Sequence, residues 1–174
     1  YASIRNNTTD HLLNDIEALR HMLSIERWLV FGGSWGATLA LIYSERYPKH
    51  CCGIILRGVF LGRQLELDWF LNGIGHVYPE AWQSFVGFLP AEEQQDLVNS
   101  YYRRLIDDDP ETHGPAAAAW NQYESQCSTF RHKPLERALG DGRAVLALAR
   151  IEAHYFVNRL FLEENEILSN LDRI

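Results

Sequence analysis

The sequence predicts an α/β core that is joined to an all-helical module. Three observations indicate this: a strand–turn–helix pattern over Trp28–Leu39, a second apolar strand at Gly53–Phe60, and no convincing strand pattern after residue 61. Both strand candidates are continuous apolar runs, which is typical of strands buried on both faces of a parallel sheet. Helix, strand, helix, strand is the wiring of α/β proteins. We therefore expect residues 1–60 to form part of an α/β core and residues 61–174 to form an all-helical module.

The helices of the first part follow from periodicity and from their end signals. The segment TTDHLLNDIEALRHML predicts an amphipathic helix that Thr8 or Thr9 caps, with Asp10 in its first turn. A helix after Ser34 should end before Pro48, which cannot continue it. The apolar face of the first helix is predicted to consist of Leu12, Leu13, Ile16, Leu19 and Leu23.

The second part reads as a series of helices. Pro79 and Pro90 each lie where a helix would start, since proline suits the first helical turn. The segments AAAAWNQYESQ and AVLALARIEAHYFVNRLFL predict further helices, and EENEILSNLDRI a short helix or a tail. By composition, DDDPETHGP and SQCSTFRHKPL are predicted to be loops.

The turn of the strand–turn–helix unit carries a pattern with chemical meaning. Gly32-Gly33-Ser34-Trp35-Gly36 fits G-x-S-x-G, in which a serine nucleophile lies on a strained turn between strand and helix. We expect Gly32 and Gly36 to remove side chains that would collide there. The backbone N–H of Trp35 would point at developing negative charge. The alternative is an ordinary turn in which Ser34 caps the helix.

Composition narrows the class of protein. Hydrophobic residues make up 47% of the 174 residues, and the net charge is −7, which argues against nucleic acid or an anionic membrane as partner. No apolar run approaches the roughly 20 residues of a membrane-spanning helix. Three cysteines, two of them adjacent, form neither a disulfide framework nor a zinc site. We therefore expect a cytoplasmic protein without a metal site.

Two parallel strands cannot form a stable sheet that is covered on both faces. We therefore expect further strands of the same sheet before Tyr1 and after Ile174. On this interpretation the exposed edges of the two strands would favour self-association of the chain on its own.

The chain resembles the proline iminopeptidase (prolyl aminopeptidase) family of α/β-hydrolases along nearly its whole length. The segments that carry the resemblance are GGSWG, LRGVFL, AWNQYE and ARIEAHYFVN, together with the helix before the first strand. The resemblance implies an α/β-hydrolase core with a helical cap and a cytoplasmic serine peptidase that removes N-terminal proline from peptides. It implies a Ser–Asp–His triad and no metal or other cofactor.

The resemblance also assigns residues. Ser34 matches the family nucleophile, and Trp35 matches the residue whose N–H forms half of the oxyanion hole. Phe60 and Phe70 match candidates for lining the proline pocket. The triad aspartate and histidine would lie beyond Ile174, so no residue here is assigned to them. We therefore expect residues 1–174 alone to be inactive.

Recognition of an N-terminus requires a carboxylate, because a buried cation is costly without opposite charge. Glu124 and Glu152 each interrupt an apolar helix, and the resemblance matches both to glutamates that hold the substrate's amino group. They could instead be surface acids, or Glu152 could pair with Arg150 or Arg57. Arg57, near the end of the second strand, could orient a cap carboxylate or be a surface charge.

Two other functions stay open at the level of the sequence. The same scaffold supports esterases and other amidases, since a fold does not determine its substrate. A non-catalytic interaction module could also retain a hydrolase core and a helical cap. Epoxide and haloalkane hydrolases are disfavoured, because these enzymes have an aspartate where Ser34 stands.

Overall fold

The computed structural model describes residues 3–129 and 142–174, and the chain divides into two compact units. The first unit contains Tyr1–Glu66 and Arg159–Ile174, and the second contains Leu67–Asn158. The sequence predicted a boundary after residue 60 and placed the C-terminal segment in the helical part. In the structure, the final residues group with the α/β unit because Ile167 packs in its core and Glu166 pairs with Arg46 over 3.2 Å.

The N-terminal part of the first unit contains helices and parallel strands in the predicted order. These are α1 (Thr9–Met22), β1 (Trp28–Ser34), α2 (Trp35–Arg46) and β2 (Cys51–Val59). In the register of the sheet, Gly33 lies opposite Arg57 and Ser34 lies opposite Val59, with an irregularity between these two pairs. Because the strands are parallel, both end at the same edge of the sheet, and that edge carries Ser34.

Helix α1 has the predicted cap but a different buried face. The Thr8 side chain accepts a hydrogen bond from the His11 backbone N–H, and Leu13 is buried as expected. Leu19 and Leu23, however, are 45% and 53% exposed. A polar network occupies the buried face instead: Arg20 donates to Glu17 over 2.9 Å, and the Tyr43 hydroxyl also donates to Glu17. An apolar periodicity could not have revealed this network.

Only one face of the sheet is covered by described residues. Trp28, Val30 and Leu56 pack into a core with α1 and α2. On the opposite face, Leu29 is 56% exposed and Phe31 is 70% exposed. Burial on both faces, expected from the continuous apolar runs, is therefore not found within the described part of the chain.

The second unit is helical, and the described residues include no strand beyond β1 and β2. Its helices are α3 (Gln64–Leu71), which begins in the first unit, α4 (Pro79–Gly87), α5 (Leu97–Leu105), α6 (Pro110–Ser128) and α7 (Gly142–Val157). Pro79 is in the first turn of α4, as predicted. At Pro90 the predicted helix is only a 3-10 turn, and α5 begins seven residues later, after Asp96 caps it.

Helix α6 replaces a predicted loop. The segment DDDPETHGP was expected to be irregular, but Asp109 accepts a hydrogen bond from the Glu111 N–H over 3.0 Å and Pro110 is the first helical residue. An acidic cap followed by proline is a helix start, and that signal outweighs the loop-like composition. The helix then runs through Pro115 to Ser128, so the first residues of SQCSTFRHKPL are helical too. Residues 130–135 of that segment lie outside the described residues.

The core of the second unit is aromatic. The ring of Phe85 stacks between Tyr101 and Tyr123, with centroids 4.5 Å and 4.2 Å away. Trp120 meets Phe85 and Tyr101 edge-on at 5.7 Å and 5.4 Å. These rings belong to α4, α5 and α6, so aromatic contacts fix how the helices pack.

The chain leaves and re-enters the first unit along adjacent segments. A β-carbon added at Gly62 would lie 2.8 Å from Leu160 Cδ2, and the Gln64 N–H donates to Glu164 over 3.2 Å. Three consecutive residues from Arg159 to Phe161 have φ of 49°, 57° and 55°, which turns the chain sharply. A final short helix, α8 (Glu166–Asn170), then follows.

Candidate active site

Ser34 occupies a strained turn at the carboxyl edge of the sheet. It is the last residue of β1 and immediately precedes α2, with φ 53° and ψ −122°. A non-glycine residue with positive φ is costly by about 1–3 kcal/mol and marks functional turns. The side chain is exposed and makes no capping hydrogen bond to α2. The structure therefore does not favour the alternative in which Ser34 is an ordinary helix cap.

The two glycines of the motif have different roles. A β-carbon at Gly32 would lie 2.0 Å from the carbonyl oxygen of Gly36, a distance that no packing adjustment accommodates. A β-carbon at Gly36 would meet no described atom within 4 Å beyond its own helix. The expectation that both glycines avoid a collision is thus correct for Gly32 only. At residue 36 the backbone carbonyl, and not a side-chain position, lies close to Gly32. This close backbone contact fixes the conformation of the turn.

The start of α2 supplies a donor for negative charge. Trp35 is the first residue of this helix, and no acidic residue lies in the first turn. The N–H groups and the dipole of a helix N-terminus favour an anion there. The geometry fits the expected role of the Trp35 N–H toward an oxyanion on a substrate that Ser34 attacks.

Arg57 and Phe60 lie at the same sheet edge in the first unit. A β-carbon at Gly33 would be 3.6 Å from Arg57 Nη1, so the guanidinium lies over the strand next to Ser34. Arg57 is exposed. Phe60 directly follows β2 and is partly buried, and its carbonyl accepts a 2.6 Å hydrogen bond from the Thr38 hydroxyl. This bond joins the residue after β2 to the helix that follows Ser34.

The second unit brings the two predicted glutamates together. Glu124 is on α6 and Glu152 is on α7, two helices that pack side by side. Their carboxyl groups lie close enough for each to shift the pKa of the other. Neither residue is fully exposed. Two adjacent, half-buried acids do not fit the interpretation as independent surface charges.

Burial is the main reason that both glutamates have pKa values above the usual range for a carboxyl group. It raises the pKa of both glutamates, and the neighbouring Glu124 carboxylate raises the pKa of Glu152 further, to about 8. The protons of such a pair belong to both groups jointly. Besides burial, the Glu124 carboxylate raises the pKa of Glu152, and the hydrogen bond from Trp120 lowers it. Burial and the closeness of the two carboxyl groups therefore both disfavour the state in which both glutamates are charged.

Trp120 is the residue of this site that sequence reasoning missed. Its indole Nε1 donates to Glu152 Oε2 over 2.6 Å. The sequence suggested only a core aromatic, although Trp120 and Glu124 are four residues apart and hence on one face of a helix. A buried tryptophan N–H usually needs an acceptor, and that requirement was the available signal.

Phe70, a predicted pocket residue, lies in the aromatic cluster of the second unit. Its ring is 5.2 Å from Tyr123 and 5.9 Å from Phe156, and its carbonyl accepts from the Tyr123 hydroxyl. Phe156 in turn is 5.9 Å from Trp120. A chain of ring contacts thus connects Phe70 to the tryptophan that holds Glu152.

Sequence comparison agrees with the geometry of the turn. A profile of the alpha/beta hydrolase fold matches residues 2–121, which include Ser34 and its flanking strand and helix. The chain belongs to the α/β-hydrolase family. The match covers the whole turn at Ser34 and continues into the second unit as far as Asn121.

Three curated relatives of this α/β-hydrolase align with all of the chain. A protein from Leptolyngbya boryana named probable proline iminopeptidase is 46% identical over 177 residues, covering 100% of this chain and 55% of that protein. Proline iminopeptidase from Arabidopsis thaliana is 45% identical, with 47% of its length covered, and that from Xylella fastidiosa is 42% identical, with 56% covered. The chain therefore spans about half the length of the curated relatives it matches.

The described residues contain neither a membrane-spanning helix nor a cluster of metal-ligand side chains. None of the helices within 3–129 and 142–174 combines the length and the apolar character needed to cross a bilayer. The same residues contain no cluster of three or more His, Cys, Asp or Glu side chains that could hold a metal ion.

Proposed function

We propose that the full-length protein is a serine aminopeptidase that releases an N-terminal proline from peptides. The turn at Ser34 supports a hydrolase, and the glutamate pair supports recognition of an amino terminus. The relatives with 42–46% identity that are named proline iminopeptidases point to the same substrate. The cytoplasmic location and the absence of a cofactor stay predictions from the sequence and the resemblance.

The proposed reaction is acyl transfer through Ser34. Its Oγ attacks the carbonyl carbon of the N-terminal proline while a histidine base takes the hydroxyl proton. The Trp35 N–H stabilises the resulting oxyanion. The C–N bond then breaks as the base returns the proton to the leaving amine, and water hydrolyses the prolyl ester to free proline. No described residue is assigned as the base or as its aspartate partner.

The glutamate pair is the observation that carries the aminopeptidase assignment. A protonated proline N-terminus has one positive charge and two N–H donors, which match two neighbouring carboxylates. A cation bound between the two side chains would offset the repulsion that disfavours ionisation of both carboxyl groups. Phe60 and Phe70 are proposed to contact the apolar ring, and Arg57 to orient a carboxylate in the intact enzyme.

Ser34→Ala tests the nucleophile in the full-length protein. The variant should keep its fold by circular dichroism but lose nearly all turnover of a chromogenic proline amide. Removal of a nucleophile costs several orders of magnitude in rate. Retention of more than a few per cent of activity would show that another group attacks the substrate.

Glu124→Gln and Glu152→Gln test the recognition of the amine. Each variant should lose about 10- to 150-fold in kcat/KM on the proline amide, because a hydrogen bond to a charged group is worth roughly 1.5–3 kcal/mol. Hydrolysis of a small neutral ester should change little. Equal losses on both substrates would mean that the glutamates support the fold. Full ester activity without any amide activity in the wild type would favour an esterase, and inactivity on both would favour a non-catalytic module.

A further inference from the structure

Trp120 is fixed both by ring contacts on several sides and by a hydrogen bond of its indole N–H. It is 1% exposed, and rings from α4, α5 and α7 surround it, with Phe85, Tyr101 and Phe156 all within 6 Å between centroids. Its single polar atom, Nε1, meets a single acceptor, Glu152 Oε2, at 2.6 Å. The indole therefore cannot rotate away from the carboxylate without disturbing the core of the unit.

The position of Glu152 between two residues of α6 has a chemical consequence. Trp120 and Glu124 are one helical turn apart on α6. Glu152 is on α7, and its carboxyl group accepts a hydrogen bond from Trp120 and lies close to Glu124. An indole N–H can only donate, so it always favours a charged oxygen on Glu152. Glu124, by contrast, can donate only when it holds a proton and otherwise repels Glu152.

We propose that Trp120 is a positioning residue of the amine site, which fixes one oxygen of Glu152 so that the other faces Glu124 and the substrate cation. This inference rests on the proposed aminopeptidase function and extends it to a residue that does not contact the substrate. Trp120 acts through Glu152: it sets the direction of the carboxylate and stabilises its charged form against burial and against Glu124.

The ionisable groups on the helices that pack against α7 bear on the pH dependence expected of kcat/KM. Helix α7 packs against α5 and α6. The arginines of α5, Arg103 and Arg104, pair with Glu93, and burial raises the pKa of Tyr101, so it stays neutral near pH 7. On α6, burial likewise raises the pKa of Tyr123 and Cys127.

Two further ionisable groups, Arg150 and His154, lie on α7 itself, each two residues from Glu152. His154 is two residues along, about 200° around the helix, where its ring contacts Tyr102 of α5 at 6.4 Å. Glu124 is the neighbouring carboxyl group whose charge raises the pKa of Glu152.

Trp120→Phe in the full-length protein tests this role, with Trp82→Phe as the matched control. Trp82 is in the same unit and also donates through its indole N–H, but to the Leu71 carbonyl over 2.8 Å. We expect Trp120→Phe to lower kcat/KM on the proline amide by about 10- to 100-fold, mainly through KM, since a hydrogen bond to a charged group is lost. Ester hydrolysis should stay within about threefold, and Trp82→Phe should spare both reactions.

The pH profile of kcat/KM distinguishes a positioning role of Trp120 from a role in packing alone. Loss of the indole donor should move the acid limb of kcat/KM for the amide to higher pH, because the charged form of the pair loses a stabilising hydrogen bond. In a Glu152→Gln background, Trp120→Phe should have almost no further effect on the amide. An unshifted acid limb, equal losses on both substrates, or additive losses in the double variant would each overturn the proposal.

A second replacement covers the case in which Trp120→Phe does not fold. Benzothienylalanine at position 120 has the shape of tryptophan with sulfur in place of the N–H, so it removes the donor without leaving a cavity. The same selective loss and the same shift of the acid limb are expected. If the Glu124 and Glu152 variants are selective for the amide while both Trp120 replacements behave as wild type, the proposed function stands and the role of Trp120 is refuted.

Discussion

The carbonyl oxygen of Gly36 occupies the space into which a β-carbon of residue 32 would project, at a separation of 2.0 Å. This contact joins the strand side of the turn to the first turn of α2, and Ser34 lies between the two glycines. The serine is therefore held in its strained conformation by backbone packing on both sides and not by hydrogen bonds of its own side chain.

A first prediction compares the two glycines by alanine substitution. Gly32→Ala should lower the free energy of unfolding by several kcal/mol or prevent folding, because the added methyl group collides with backbone atoms that cannot move separately. Gly36→Ala is its matched control and should cost less than about 1 kcal/mol, since alanine suits a helix. Chemical denaturation of the full-length proteins measures both, and equal losses would contradict the contact described here.

A second prediction concerns the strain at Ser34. Glycine adopts positive φ at little cost, so Ser34→Gly should raise the free energy of unfolding by about 1 kcal/mol while it abolishes turnover. Ser34→Ala should bring no comparable gain, because alanine has the same β-carbon. The two melting temperatures, measured side by side, test this. A stability of Ser34→Gly at or below that of Ser34→Ala would indicate an unstrained turn.

A third prediction follows from a buried acid on α2. Glu45 is 4% exposed, and its Oε1 has no hydrogen-bond partner among the described residues. Burial, followed by the charge of Glu166, raises its pKa from 4.5 to about 7. The folded protein thus retains a proton that the unfolded chain releases between these values. The contribution of Glu45 to stability is greatest below pH 4.5 and is lost as the pH rises through 7.

Glu45→Gln should therefore stabilise the protein at pH 8, by about 1–3 kcal/mol, and have little effect at pH 4. Glu17→Gln serves as the comparison, because it should destabilise the protein at neutral pH and have less effect at low pH. The hydrogen bond from Arg20 lowers the pKa of Glu17 to about 2, so its stabilisation is present above 4.5 and disappears as the pH falls toward 2. Melting curves from pH 3 to 8 would contradict the assignment if Glu45→Gln were neutral throughout.

A fourth prediction concerns residues 1–174 expressed alone. They should show no turnover above background, since no described residue is assigned as the base for Ser34. They should also self-associate through the uncovered sheet face and its edges, where Leu29 and Phe31 are exposed. Light scattering measures this, and Phe31→Lys should shift the distribution toward monomer. A monodisperse monomer without that substitution would refute the second half.

The sequence predicted those features that depend on local chemistry. The glycine–serine turn, the cap at Thr8 and the proline start of α4 follow from backbone rules that act over a few residues, and the structure confirms them. The start of α6 was missed because Asp109 and Pro110 were weighed by composition and not by position.

Features that depend on distant contacts were harder to predict. The buried face of α1 depends on Tyr43, which lies on another helix, and the exposure of Phe31 depends on what covers the sheet. Glu124 and Glu152 could be singled out as unexplained acids, but their contact required knowledge of how α6 and α7 pack. The role of Trp120 depends on a single side-chain hydrogen bond between those helices, which no local pattern encodes.

The contact between Gly62 and Leu160 has a consequence for engineering and for evolution. The polypeptide departs from the α/β unit and returns to it at neighbouring points, which is the arrangement that makes domain insertion and replacement tolerable. Residues 67–158 could then be exchanged for a related helical module, or lengthened, without re-routing β1 or β2. With the proposed function, exchange of this helical unit would change substrate preference while the turn at Ser34 stays the same.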